Sequence, residues 1–333
     1  MDLREKEITV WLEKELGLTQ IELTPASSDA SFRRYFRCLN NDKTVIVMDA
    51  PPQHEDCQPF IDIAKAMREL GLNVPEVHLI DLERGYLLLS DLGSVQYLEQ
   101  LNAQTATKLY ADALAALKRL QFRGSQELLL LPDYDTNLLQ REMELFREWF
   151  VTQQLNCELS DNDNHIMDEA FSLLTESALT QPRVWVHRDY HSRNLMVTAE
   201  NNPGILDFQD AVYGPVTYDL VSLLRDCYID WPQSQVESWV ADYYLQIKEE
   251  LLGNDVDRVL FQKWFDWMGA QRHLKAIGIF SRLNIRDGKA GYLADIPRTF
   301  SYLVEVTSAY PELAELNHLL QQRIKPLIKN ETQ

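Results

Sequence analysis

The feature that most constrains the fold is a polar loop enclosed by apolar runs in residues 184–211, VWVHRDYHSRNLMVTAENNPGILDFQDA. Residues 184–186 and 195–197 are typical of short strands on either side of a turn. A third short run, residues 204–206, comes directly before Asp207. This pattern predicts a loop whose polar side chains are held in place by buried strands.

The spacing of polar residues in this loop is that of a phosphoryl-transfer site. His187, Arg188 and Asp189 are consecutive, Asn194 follows five residues after Asp189, and Asp207 follows the last strand. In kinases, residues in this order supply a catalytic base and two magnesium ligands. Asp and Asn are also ordinary turn residues, but the coincidence of all these features favours Asp189 as the base, with Asn194 and Asp207 as ligands of Mg2+.

Composition limits the classes of protein to be considered. The chain has 333 residues, 45% of them hydrophobic and 25% charged, which is typical of a globular protein with room for two domains. Its formal net charge of -19 argues against nucleic acid or an anionic membrane as a partner. We also expect no obligate protein partner. The absence of a signal-like segment and four scattered cysteines lead us to expect a cytoplasmic protein with reduced thiols.

The chain divides by pattern into a β-rich and a helical part. We expect residues 1–92 to form an N-terminal nucleotide-binding lobe with a five-stranded antiparallel sheet, and residues 93–333 a helical lobe with the catalytic loop. Strands are predicted at 21–23, 32–39, 44–48, 77–82 and 86–89, and helices at 4–17, 60–70, 105–121, 137–153, 164–179, 217–228, 234–252, 258–285 and 297–309.

The predicted lobe lacks two features common in kinases. The turn at residues 25–31, PASSDAS, has no glycine to let its backbone approach phosphate, and it offers the candidate nucleotide-binding residues Ser27, Ser28 and Ser31 instead. The third strand has no lysine in its interior. Nearby positive charge comes from Arg33, Arg34 and Arg37, and Arg33 is included among the candidate nucleotide ligands, although solvated strand arginines are an equally good interpretation.

Further candidates lie outside these loops. Asp91 and Leu92 follow an apolar strand, where a kinase hinge would contact adenine through its backbone. Asp219, near a helix start for which Thr217 is the candidate cap, is predicted with His187 to support the catalytic loop. Candidate substrate residues are His191, Arg193, Asp210, Arg225, Arg272 and His273, the last two on a helix face with Trp267, Gln271 and Lys275.

At these residues the chain resembles the aminoglycoside phosphotransferase and choline kinase family. Within that family, its segments are similar to those of bacterial anomeric sugar kinases: SSDASFRRYFR, VMDAPPQHEDCQPF, HRDYHSRNLMV, GPVTYDLVSLLRDCYIDWP and QRHLKAIGIFSRL. The missing strand lysine falls inside one of these segments. The resemblance therefore makes its absence a subfamily trait.

The resemblance implies a protein kinase-like α+β fold, with an ATP cleft between a small β-rich lobe and a larger helical lobe. It implies ATP and Mg2+ as cofactors, and as reaction the phosphorylation of the C1 hydroxyl of N-acetylmuramate and N-acetylglucosamine in peptidoglycan recycling. Arg193, Arg225 or Arg272 would meet the lactyl carboxylate of N-acetylmuramate. Alternatives are another small acceptor such as an aminoglycoside or choline, and a nucleotide-binding pseudokinase scaffold.

Overall fold

A computed structural model describes residues 2–17, 21–28, 32–40 and 43–328 of the chain. The strands are β1 Thr24–Ser28, β2 Arg34–Asn40, β3 Lys43–Asp49, β4 Val77–Asp81, β5 Tyr86–Ser90, β6 Arg183–Val186, β7 Leu195–Met196, β8 Gly204–Ile205 and β9 Val212–Pro215. The α-helices are α1 Leu3–Leu16, α2 Gln58–Glu69, α3 Tyr97–Gln100, α4 Ala106–Arg123, α5 Thr136–Leu145, α6 Asp161–Leu179, α7 Tyr218–Leu224, α8 Gln233–Ile247, α9 Arg258–Asp287, α10 Ile296–Ala309, α11 Ala314–Leu319 and α12 Lys325–Ile328. Wider π-helical turns at Phe146–Gln154, Lys248–Leu252 and Leu320–Ile324 extend α5, α8 and α11, and 3-10 turns cover Ala290–Asp295 and Pro311–Leu313.

The chain forms two compact units. The first comprises Met1–Leu120, Glu127–Leu129 and Arg193–Asp210, and the second Gln121–Gln126, Leu130–Ser192 and Ala211–Gln333. The boundary predicted between residues 92 and 93 does not coincide with an end of either unit. The division into an N-terminal lobe, residues 1–92, and a helical lobe, residues 93–333, stays a prediction.

The first unit is built on a five-stranded antiparallel sheet with strand order β1-β2-β3-β5-β4. Helix α1 begins at a capping box formed by Asp2 and Glu5 and ends at Gly17, whose left-handed φ of 65° closes it as predicted. Its buried side chains Ile8, Trp11 and Leu12 pack on alternate residues of β2, β3 and β5. Each such fully buried side chain contributes about 1.5–3 kcal/mol to folding.

The second unit is organised around α9, a helix of 30 residues with buried side chains on all sides. A helix that is buried around its whole circumference must be surrounded by other elements. Here α5, α6, α7 and α10 contact it. Apolar residues of α5, α6, α9 and α10 form one continuous core. The short β6–β9 ladder lies in the same unit, and β6 leads directly into the predicted catalytic loop.

Two predicted elements were wrong in position, and one strand was missed. The first strand is Thr24–Ser28 and not residues 21–23, so most of the predicted turn at 25–31 is strand, and a bulge accommodates Pro25 at the sheet edge. Residues 212–215 form β9, a strand that was not predicted. Helix α7 ends at Leu224 and not at 228, and the hydroxyl of its N-cap residue Thr217 donates to Gln181 Oε1 at 2.7 Å and makes no cap bond.

The helices after residue 309 and the short helix α3 were not predicted. The four cysteines are free thiols, with Cys38, Cys57 and Cys227 buried. Within the described part of the chain, no helix has both the length and the apolar character needed to cross a bilayer.

Candidate active site

The catalytic loop follows β6 in the second unit, and internal hydrogen bonds fix its shape. Arg188 has a left-handed φ of 76°, which turns the chain sharply before Asp189. The backbone N–H of Asp189 donates to His187 Nδ1 at 3.2 Å, and the N–H of His191 donates to the Asp189 carbonyl at 3.0 Å. The buried His187 ring therefore holds the backbone that carries the Asp189 carboxylate.

Asp219, at the start of α7, binds the backbone of the same loop. Its carboxylate accepts the backbone N–H of His187 at 2.7 Å and that of Arg188 at 3.0 Å. Asp219 is completely buried. Burial raises the pKa of this carboxyl to about 7 against the effect of the two N–H donors, and the negative charge of Asp189 adds to the rise.

The half-buried Asp189 carboxylate lies in a positive environment. Burial acts to raise its pKa, but Lys275, His191, Arg272 and Arg188 together lower the pKa to about 2, with Lys275 the strongest of them. Asp189 is therefore ionised throughout the physiological pH range. An ionised carboxylate is the form that can accept a proton.

A buried ionic cluster lies behind the loop, and sequence reasoning missed its central residue, Glu142. Glu142 Oε1 accepts Arg188 Nη2 at 2.5 Å and lies 3.2 Å from Lys275 Nζ, while its Oε2 accepts the Tyr134 hydroxyl. Lys275 Nζ also donates to the Tyr218 hydroxyl at 2.9 Å. Burial alone would raise the pKa of Glu142, yet the two cations lower it. The signal in the sequence was a carboxylate on the core face of α5, three residues after buried Leu139.

The two predicted metal ligands lie in the first unit, on the β7–β8 hairpin. The Asn194 carbonyl accepts the Leu206 N–H at 2.9 Å, which fixes the hairpin ends. Asn194 Nδ2 is 3.4 Å from Asp207 Oδ2, and Gln209 Nε2 donates to Asp207 Oδ1 at 2.7 Å. Asp207 has a left-handed φ of 63°.

This pair of side chains suits a hard cation. No group of three or more His, Cys, Asp or Glu residues is placed to hold a metal in the described ranges. Kinase-type magnesium sites do not need one, because one carboxylate and one amide oxygen are completed by phosphate and water. The proximity of the Asn194 and Asp207 side chains fits such a site.

The predicted nucleotide residues differ in how far the structure describes them. Ser27 and Ser28 lie in β1, their side chains are not described, and Ser31 is outside the described residues. The Asp91 carboxylate pairs with Arg37 at 2.6 and 3.0 Å and accepts the Gly93 N–H at 2.9 Å. The Gly93 carbonyl also accepts Arg37 Nη2. Both polar backbone groups of Gly93 are therefore occupied, and the hinge role of Asp91 and Leu92 stays a prediction.

The predicted substrate residues fall into two groups. Arg193, which is half-buried, and Asp210, which is exposed, lie in the first unit beside the metal-ligand hairpin. His191, Arg225, Arg272 and His273 are buried in the second unit. The structure therefore does not place these six side chains in one described cluster.

The helical face proposed around Arg272 is an interior surface. His273 is completely buried, with Nε2 3.0 Å from the Arg225 carbonyl and its ring stacked on Tyr302. Burial lowers the pKa of His273 to about 3, so its ring is neutral. Arg225 forms an ion pair with Asp266 at 2.7 Å. These contacts of His273 and Arg225 are those of packed residues, not of side chains that line a binding site.

Arg272 and His191 keep a connection to the loop. Arg272 lowers the pKa of Asp189, and its Nη1 is 3.6 Å from Cys227 Sγ. The His191 ring lies edge-on to Tyr228, with ring centroids 5.2 Å apart. Both residues therefore remain candidates for contact with the acceptor.

The sheet, the catalytic loop and its buried supports define a kinase-like phosphotransferase fold. Solved structures support this: the choline kinase LicA from Streptococcus pneumoniae aligns with 93% of this chain and 100% of its own at a TM-score of 0.61 and 14% identity. An ADP-bound aminoglycoside phosphotransferase, APH(2'')-Ib, aligns with 92% of this chain and 99% of its own at a TM-score of 0.59 and 15% identity.

Sequence comparison identifies the family. The profile of the phosphotransferase enzyme family matches residues 22–252, and the chain belongs to that family. The chain is 46% identical, over 96% of its length and 97% of the relative, to a protein of Pseudomonas putida named N-acetylmuramate/N-acetylglucosamine kinase. A protein of the same name from Pseudomonas aeruginosa is 44% identical over 96% of both chains. The enzyme class and fold predicted from the sequence are thereby confirmed.

Proposed function

We propose that this phosphotransferase transfers the γ-phosphoryl group of ATP to N-acetylmuramate and N-acetylglucosamine. The observation that carries the proposal is the identity of 42–46% with three relatives of that name, over nearly the whole chain. The acceptor site would include His191 and Arg272, and a buried guanidinium suits the lactyl carboxylate of N-acetylmuramate. Free thiols and ATP as co-substrate support a cytoplasmic location.

We further propose that the phosphorylated atom is the C1 hydroxyl oxygen. An anomeric hydroxyl is more acidic than the other hydroxyls of a sugar, so a weak base suffices to accept its proton. The pKa of Asp189, lowered to about 2, makes its carboxylate such a base. In a loose phosphoryl-transfer transition state the proton leaves late, and positioning contributes most of the catalysis.

Each residue then has a separate task. Asp189 orients the acceptor hydroxyl and takes its proton, while His187 and Asp219 fix the backbone on either side of it. Asn194 and Asp207 would hold Mg2+, which when bound neutralises charge on the phosphate oxygens. Lys275 and Arg188, held by Glu142, keep Asp189 ionised.

The acceptor is tested by measuring ATP turnover with Mg2+ over N-acetylmuramate, N-acetylglucosamine, glucose, choline and kanamycin. We expect turnover with the two N-acetyl sugars and a phosphorus NMR signal of a sugar 1-phosphate. A 6-phosphate would refute the anomeric assignment alone. Turnover only with choline or kanamycin would refute the sugar assignment, and bound ATP without any acceptor-stimulated turnover would favour a scaffold.

The base is tested by Asp189→Asn, which keeps the shape and removes the proton acceptor. We expect kcat to fall by about 10²–10⁴ while the affinity for nucleotide is kept, as for loss of a general base. Asp207→Ala should weaken binding of the magnesium nucleotide as well. A near-normal kcat in Asp189→Asn would remove this residue from the base role.

A further inference from the structure

Three arginines, Arg33, Arg34 and Arg37, lie in or just before β2, which pairs with the third strand, and that strand has no lysine in its interior. Two of these arginines form ion pairs that occupy their guanidinium groups. Arg34 makes bonds of 3.0 and 2.5 Å to the completely buried Asp49 and also pairs with Asp2. Arg37 is bound to Asp91 and to the Gly93 carbonyl. Both serve to hold strands and their ends together.

Arg33, just before β2, has a different partner. Its Nη2 lies 2.8 Å from Glu55 Oε2, and the two side chains expose only 11% and 12% of their surface. Glu55 Oε1 also accepts the Phe32 N–H at 3.2 Å, and the neighbouring His54 ring stacks on Phe32 with centroids 4.5 Å apart. The short segment before α2 thus holds both the backbone and the guanidinium of the segment before β2.

The charges of Asp207 and Asp210 also act on Arg33. Burial acts to lower the pKa of its guanidinium, yet Tyr35, Glu55, Asp210 and Asp207 raise it. Asp207 and Asp210 both belong to the segment that carries the β7–β8 hairpin in the same unit. A positive charge that is held by Glu55 and lies within electrostatic reach of a proposed magnesium ligand suits nucleotide phosphate.

We propose that Arg33, oriented by its ion pair with Glu55, supplies the phosphate-binding charge that kinases take from a strand lysine. In protein kinases that lysine pairs with a glutamate of the helix following the third strand. Here the carboxylate is that of Glu55, in the segment between β3 and α2. The cation is that of Arg33, just before β2. Arg33 would be a nucleotide-binding residue and Glu55 a positioning residue. The inference rests on the proposed kinase function.

The test measures nucleotide binding and steady-state kinetics separately in the full-length protein. For Arg33→Gln we expect the Kd of MgATP, measured by calorimetry without sugar, and the KM for ATP to rise about tenfold or more, as for loss of a hydrogen bond to a charged group. The KM for sugar should stay within about twofold of wild type. For Arg33→Lys we expect an intermediate loss, because an ammonium cannot form the two-pronged contact.

Glu55→Gln tests the positioning role. It should raise the KM for ATP by a smaller factor than Arg33→Gln, and the double variant should be no worse than Arg33→Gln alone, since the two residues act as one unit. Arg68→Gln is the matched control. Arg68 forms an exposed pair with Glu76 in the same unit at 2.9 Å, and we expect its removal to leave nucleotide binding unchanged.

The outcomes separate this inference from the proposed function. The role of Arg33 would be refuted if the Arg33→Gln protein bound MgATP as tightly as wild type. If that variant does not fold, the same result for Arg33→Lys would refute it. A wild-type protein that binds MgATP but phosphorylates no amino sugar would refute the proposed acceptor. In that case the effect of Arg33→Gln on MgATP binding would still show whether Arg33 binds the nucleotide phosphates.

Discussion

At the scale of single residues, the loop depends on buried charges that compensate one another. Glu142 is shared by Arg188 and Lys275, and both cations act on Asp189. Burial of an ionised group is unfavourable unless partners of opposite charge are close. Removal of one member should therefore affect both stability and the ionisation of the base.

Lys275→Met tests this coupling. Loss of the nearby cation should raise the pKa of Asp189, so the acid limb of kcat/KM for the sugar should move to higher pH by about one unit or more. The free energy of unfolding should fall by about 3–5 kcal/mol, because Glu142 loses one of its buried partners. The measurements are a pH–rate profile and urea unfolding.

The control for this change lies on the same helix. Lys263 forms a more exposed pair with Glu312 at 2.7 Å, and Lys263→Met should leave the pH–rate profile unchanged. If the acid limb of kcat/KM is the same in Lys275→Met as in wild type, Lys275 contributes to stability and not to the ionisation of Asp189.

Asp219 gives a prediction for the pH dependence of stability. Its pKa is raised to about 7 in the folded protein from an ordinary value near 4, so between these values the folded state binds more protons than the unfolded state. The contribution of Asp219 to the free energy of unfolding should thus fall as pH rises from 4 to 7. Relative to Asp219→Asn, wild type should lose stability from pH 5 to 7.5 by up to about 1 kcal/mol per pH unit.

Urea unfolding at pH 5, 6 and 7.5 measures this difference. Asp287→Asn is the control, because a hydrogen bond from Arg286 lowers the pKa of Asp287 and keeps it ionised above pH 5. Its difference from wild type should therefore be constant over the same range. A constant difference for Asp219→Asn as well would contradict the raised pKa.

The residues that could be predicted from the sequence are those set by local order along the chain. Asp189, Asn194 and Asp207 follow from the spacing of a loop and its strands, and their roles stay proposals. The role of Glu142 could not be predicted, because its partners Arg188 and Lys275 are 46 and 133 residues away along the sequence. The packing of α5 on α9 brings Glu142 and Lys275 together, and the loop after β6 adds Arg188.

At the scale of elements, the contact of α5 with α9 sets the geometry behind the loop. Gly278 lies in α9 against the end of α5, and a Cβ built there would be 2.4 Å from the Leu145 carbonyl carbon. Backbone cannot give way as the tip of a side chain can. The contact therefore requires glycine in the middle of a helix, where it is normally unfavourable.

Gly278→Ala should destabilise the protein by about 1–3 kcal/mol, although alanine is the better helix former by about 1 kcal/mol. Thermal unfolding with calorimetry measures the change. Gly291→Ala, where a Cβ meets nothing within 4 Å, is the control and should be neutral. An unchanged or raised unfolding temperature in Gly278→Ala would show that the two helices can separate at little cost.

The accuracy of the predicted elements followed the strength of the local signal. Long helices such as α6 and α9 were predicted to within a few residues because their apolar positions repeat with the helical period. Strand β1 was misplaced because its residues, TPASS, have weak strand propensity and are held by pairing with β2. Strand β9 was missed for a similar reason, since its pairing with β6 overrides the turn tendency of Gly214 and Pro215.

At the scale of the whole molecule, binding of nucleotide should be visible as stability. A ligand that binds only the folded state stabilises it by about 2.7 kcal/mol at a concentration of 100 Kd. We expect a non-hydrolysable ATP analogue with Mg2+ to raise the unfolding temperature, and EDTA to reverse most of the increase. Asp207→Ala should lose the part that depends on Mg2+, whereas Asp189→Asn should keep it.

Scanning calorimetry with and without EDTA gives this measurement. A shift of equal size with and without Mg2+ in wild type would argue against a metal held by Asn194 and Asp207. The family assignment would be unaffected, because it rests on the match to residues 22–252 and on the relatives.

The left-handed backbone at Arg188 and Asp207 has a consequence for how this protein can change. Side chains other than glycine raise the energy of that conformation by about 1–2 kcal/mol, and both residues lie in the proposed catalytic segment. Glycine at either position would relax the chain and delete the functional group. Laboratory selection for heat resistance alone would therefore favour glycine at position 207. At position 188 the lost ion pair with Glu142 would oppose the change, in addition to selection for turnover.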